Sequence, residues 1–132
     1  MDLTKLIQTF LKKNEIKPKR TDFGLQFAHD NLTFFYFHDK DDEQYFQLVL
    51  PHIFDVDENN ETAVLRAINT TNRNVKVVKL YVSDSGNTGT SEVWAGFEIL
   101  ADSSPEIQDI LPRAIQLLEA ARDDFYHQLD RA

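Results

Sequence analysis

The sequence predicts an α+β fold: one antiparallel five-stranded sheet with helices on one face, in the order α-β-β-β-α-β-β-α. Three observations carry this expectation. Apolar residues recur at helical spacing near the start, the middle and the end of the chain. Between those segments lie short runs in which apolar and polar residues alternate, the mark of strands with one buried face. Turn residues such as "HDN" join successive strands as a meander, and strands with one buried face demand helices on one side of a single antiparallel sheet. At 132 residues the chain fits a single domain, 1–132, that is long enough to enclose a core.

The first helix is read from Asp2 as cap and from Leu3, Leu6, Ile7, Phe10 and Leu11 on one face. Asn14 and Pro18 end it. Phe23, Leu25 and Phe27 then alternate with Gly24, Gln26 and Ala28 as a first strand, and "HDN" is turn chemistry. A second strand runs from about Leu32 to His38 and a third from Tyr45 to Leu50, closed by Pro51. "DENNETAVLRAIN" is a short second helix with an acidic first turn, its buried edge made by Val64, Leu65 and Ile68. Asn69 and Asn72 fall where this helix is expected to hand over to a fourth strand, Val75 to Val82, and read as a structural turn. "SDSGNTGTS" is a polar hairpin loop leading to a fifth strand, Glu92 to Leu100. In the last segment Ser103, Pro105 and Glu106 form a cap signature, and Ile107, Leu111, Ala114, Leu118, Ala121 and Phe125 form one helical seam. Pro112 inside that seam predicts a kink or a split.

Composition narrows the function classes. The chain has no cysteine, which removes disulfides and thiolate metal sites. No apolar run is long enough for a membrane span, and the N-terminus lacks the continuous apolar core of a signal peptide, so a cytoplasmic location is expected. The net charge is −8, and eight acids against Lys40 fall between Asp39 and Glu61. Such a chain is a poor partner for nucleic acid, which needs a broad positive field. The five bases between Lys12 and Arg20 read as a solvated helix end and loop.

Chemistry-bearing motifs fail on their own terms. "DVDENNETAVLR" has Asp55, Asp57 and Asn59 at calcium-loop spacing, but Asn60 replaces the glycine and Arg66 the bidentate glutamate. "DKDDEQYFQLVL" fails with Gln44 and Leu50 at the same two places. His29, His38, His52 and His127 show no zinc-ligand spacing. His29 and His38 flank one hairpin, but two ligands are too few without a located carboxylate. No nucleophile elbow, phosphate loop or dinucleotide fingerprint is present. No catalytic residue, cofactor or metal is therefore expected.

The run "AVLRAINTTNRNVKVVKLYVSDSGNTGTSEVWAGFEIL" resembles the YbjN-type family of bacterial sensory transduction regulators. Those chains share a helix ending in an "IN..N" pattern, matched here by Ile68, Asn69 and Asn72, then a strand, a polar loop, a strand and a long helix. The resemblance implies a fold similar to the type III secretion chaperones, commonly dimeric. It also implies a non-enzymatic, chaperone-like or regulatory protein-binding role in a bacterial cytoplasm.

Strand phasing adds the candidate contact residues. With Phe46, Leu48 and Leu50, then Val78, Leu80 and Val82, then Val93, Ala95, Phe97 and Ile99 facing the core, Tyr45, Lys79, Tyr81 and Trp94 face away. If Phe35 and Phe37 are core, Tyr36 and His38 join that outer set. Tyr45, Tyr81 and Trp94, with Lys79 as charge partner, are the expected anchors for a partner chain or extended peptide. Cross-strand aromatic pairs that only stabilise the sheet are the competing explanation. A small-ligand sensor with a pocket between the sheet and the long helix is the alternative function.

Overall fold

The computed structural model describes residues 2–84 and 91–131; positions 85–90, which hold most of the expected polar hairpin loop, lie outside them. Helix α1 spans Leu3–Lys13, and Asp2 caps it by accepting the Lys5 N–H at 3.1 Å. Strands β1 (Lys19–Arg20), β2 (Gly24–His29), β3 (Leu32–Phe37) and β4 (Tyr45–Val56) follow. Helix α2 is Glu61–Asn74, β5 is Val78–Ser83, β6 is Ser91–Leu100, and α3 is Ile107–Arg131. All neighbouring strands are antiparallel, in the order β1-β2-β3-β4-β6-β5.

The sheet thus has six strands rather than five. The extra one, β1, pairs Lys19 with Gln26 and Arg20 with Leu25. Two charged, exposed residues on an edge carry no alternation, so pattern alone does not reveal them. Pro51 does not close the third strand either. Leu50 pairs with Ala95 and Phe54 with Val93, so three residues, Pro51 to Ile53, oppose Trp94 alone. In this bulge His52 takes a left-handed backbone (φ 58°) and the ladder is interrupted, so a residue without an N–H costs no pairing bond.

Helix α2 runs further than expected. Asn69 and Asn72 lie inside it rather than in a turn, and β5 begins only at Val78. The Asn72 side-chain amide accepts from Leu80 N–H at 2.8 Å and donates to Leu80 C=O at 3.2 Å. Strand β5 is an edge, and on its unpaired side this one amide copies the hydrogen bonding of a missing neighbour.

Helix α3 starts at Ile107: Glu106 C=O accepts from the Asp109 and Ile110 N–H groups, so Ser103 is not its cap. The helix is continuous through Pro112, whose missing N–H falls within its second turn while Leu111 and Ala114 on either side are fully buried. The seam of Ile107, Leu111, Ala114, Leu118, Ala121 and Phe125 is buried throughout. Buried residues of all three helices join alternate strand residues, among them Leu25, Phe27, Phe34, Tyr36, Phe46, Leu48, Leu80 and Phe97, in a single core. None of the helices among the described residues is long and apolar enough to cross a membrane.

Candidate partner-binding face

The residues that face away from this core form a continuous band of rings. Strand β3 has the opposite phase from the conditional expectation. Phe34 and Tyr36 are buried, at 0% and 1% exposure, while Phe35 and Phe37 are half-buried on the outer side. Tyr36 and His38 therefore leave the outer set; the His38 Nδ1 instead lies 3.1 Å from the hydroxyl of Thr4 on α1. "LTFFYFH" is apolar on both sides, so alternation cannot choose its phase. Packing of the larger inner rings chooses it, with Tyr36 5.9 Å from Phe46 and Phe34 5.4 Å from Phe27 between ring centres.

Phe23 joins the outer band although it shares parity with buried Leu25. Gly24, at φ +149°, turns the chain between them, and a Cβ there would meet the Tyr36 carbonyl oxygen at 2.2 Å. Phe23 stacks 5.0 Å from Phe35 and 4.9 Å from Phe37. Phe35 continues the band to His52 at 6.2 Å and Trp94 at 6.1 Å, and Trp94 reaches Tyr81 at 6.5 Å. Val49 and Gly96 form its floor. The Tyr81 ring lies over Gly96, where an added Cβ would be 3.7 Å from its Cε1.

All four expected contact residues are in or beside this band, and Glu98, not singled out in the sequence, joins two of them. Glu98 pairs with Gln47, and Lys79 pairs with Gly96, so Tyr45 and Lys79 are both diagonal neighbours of Glu98. The Tyr45 hydroxyl donates to Glu98 Oε2, and Lys79 Nζ lies 2.5 Å from Glu98 Oε1. Lys79 also lies over the Tyr81 ring, 5.9 Å from its centre. Burial alone would raise the Glu98 carboxyl, but the hydrogen bonds from Lys79 and Tyr45 and the lysine charge outweigh it and hold the carboxyl low. Desolvation, and then Glu98, push the phenols of Tyr45 and Tyr81 above their ordinary value. Beside Trp94, Glu92 Oε1 accepts from its Nε1 at 2.6 Å and lies 2.5 Å from His52 Nδ1. The outer face is thus an aromatic strip whose polar groups are tied by Glu98 to Lys79 and Tyr45 and by Glu92 to Trp94 and His52. Its outward parity was legible for Glu92 and Glu98; the missing signal was strand register, which sets their diagonal partners.

Between sheet and α3, where a ligand-sensor pocket was the alternative, the space is filled by Phe46, Phe97, Leu118, Ala121 and Phe125. A separate open cleft of about 750 Å³ lies between the start of α1, Phe23–Gly24 and the acidic connection, with Arg20, His38, Asp39 and Glu43 on its walls.

The fold gives the comparison that sequence does not. Neither a family model nor a curated protein sequence matches the chain. Its structure matches the crystal structure of YbjN from E. coli, a protein proposed to be a transcription regulator, with a TM-score of 0.67 over 92% of this chain and 87% of that one. This chain has the YbjN-type fold. Sequence identity to YbjN is 7%, so the shared property is the arrangement of helices and sheet.

Proposed function

We propose that this YbjN-like chain is a non-enzymatic binding module, a chaperone-like or regulatory adaptor of a bacterial cytoplasm. Its outer sheet face docks a partner protein chain or an extended peptide. The observation that carries this reading is the uninterrupted strip Phe23–Phe37–Phe35–His52–Trp94–Tyr81, facing away from the core, with His52 exposed and the other rings half-buried. Rings with one polar tip present large area at low entropy cost, which suits a docking surface. The Glu98–Lys79 pair beside Tyr81 would orient a bound segment by charge. A second copy of the chain is a natural candidate for part of that surface, which accords with the dimers that the family resemblance implies.

The test is capture from lysate of the native host on wild-type protein and on Trp94→Ala and Tyr81→Ala, with eluted complexes sized by light scattering. Both variants should keep the wild-type circular dichroism spectrum and lose most of the captured partner, since aromatic anchors at interfaces carry about 2 kcal/mol or more each. Variants that unfold outright would make the two rings core elements. Variants that capture as well as wild type would remove the face from the binding account.

A further inference from the structure

The tip of the β2–β3 hairpin meets α3 in a cluster that the strip does not use. Asp30 and Asn31 both take left-handed backbone (φ 50° and 65°), making the two-residue turn that closes His29 against Leu32. His29 shares parity with Leu25 and Phe27, so its ring lies on the helix side of the sheet. There His29, Asp30 and Glu119 each offer one ligand atom, all within 4.8 Å of one another. Two histidines flanking a hairpin lacked a located carboxylate in the sequence; the fold supplies two carboxylates to His29.

We propose that His29, Asp30 and Glu119 form a binding site for a divalent transition-metal ion, with zinc as the expected occupant. The donor set is one imidazole nitrogen and two carboxylate oxygens. Zinc accepts both donor types with three protein ligands and a water in the fourth position, whereas magnesium and calcium favour all-oxygen sets. The His29 Nε2 is 3.2 Å from Asp30 Oδ2, close to the spacing of about 3.3 Å that tetrahedral bonds of about 2.0–2.1 Å impose. Asp30 is 66% exposed, which leaves its side chain room to turn toward the other two.

Two further observations ask for a cation here. Glu119 Oε1 is shielded from solvent yet has no hydrogen-bond partner among the described residues. No Lys or Arg among the described residues pairs with Asp30 or Glu119, although an oxygen of each carboxyl group lies within 4.8 Å of the other. An ion at this point would neutralise both carboxylates and tie residue 29 to residue 119, pinning the hairpin to α3.

The experiment uses tag-free full-length protein stripped with chelator, titrated with zinc chloride by calorimetry and by thermal shift. Wild type should bind one zinc and melt higher with it. His29→Ala and Glu119→Gln should each weaken binding by more than the about 10–100-fold that loss of an outer-shell partner costs. Magnesium and calcium chloride at the same concentration should leave the melting curve unmoved. Zinc-induced movement of the His29 imidazole resonances in wild type gives a readout independent of either variant. Failure to bind zinc, binding unchanged in both variants, or an unmoved His29 resonance would each overturn the assignment.

Discussion

Replacing Asn72 with Ala tests whether its side chain works as an edge-strand seal. The substitution removes two hydrogen bonds to Leu80, one in each direction, on the unpaired side of β5. At a net value of about 1 kcal/mol per bond the loss is about 2 kcal/mol. Alanine's better helix propensity inside α2 offsets about 0.5 kcal/mol, leaving about 1.5 kcal/mol of destabilisation. For 132 residues that corresponds to a melting point lower by about 5 °C. Asn72→Asp sharpens the test: the carboxylate still accepts from Leu80 N–H but faces Leu80 C=O with no donor, so it should cost at least as much as Ala. Asn69→Ala is the control, since Asn69 is exposed and its side chain makes no hydrogen bond among the described residues. It should fall within about 0.5 kcal/mol of wild type. Urea unfolding followed by circular dichroism and by the fluorescence of Trp94, the single tryptophan, reads all four proteins. An Asn72→Ala protein as stable as wild type, or an Asn69→Ala protein equally damaged, would refute the sealing argument.

Two more outcomes follow from local geometry. Gly24→Ala places a methyl group against the Tyr36 carbonyl at a backbone angle that L-residues avoid, and should cost about 2 kcal/mol or more by the same denaturation assay; a near-neutral result would remove the strain explanation for the turn of Phe23. Glu98 is held below its ordinary value of 4.5, so its ionised form contributes stability above that pH, which is lost as pH falls through the lowered value. The stability gap between wild type and Glu98→Gln should therefore be widest near pH 7 and shrink below about pH 4.5, and a gap independent of pH would contradict the Lys79–Glu98–Tyr45 arrangement.

Local chemistry accounts for the elements that pattern could find. Asp2 as a cap, the "HDN" turn and the six-residue seam of α3 each follow from spacing or side-chain type within one segment, and the structure retains all three. The contact residues Tyr45, Lys79, Tyr81 and Trp94 were legible as outward-facing for the same reason. Strand β3 was not, because Phe34 to Phe37 are four consecutive large aromatic residues and alternation has nothing to distinguish. The length of α2 was misjudged because asparagine has two uses: it ends helices when its neighbours are solvated, and it seals an edge when another strand comes within reach.

From the amino-acid order alone came the antiparallel α+β layering, the buried seam of α3 and the outward parity of Tyr45, Lys79, Tyr81 and Trp94, since each depends on neighbours a few residues apart. Tertiary structure decided the rest: the phase of β3, the bulge that absorbs Pro51, the Asn72–Leu80 seal, the Glu98 links and the meeting of His29 and Asp30 with Glu119. Each of these joins groups distant in the chain, and their approach is set by strand register and helix packing, which no local pattern encodes.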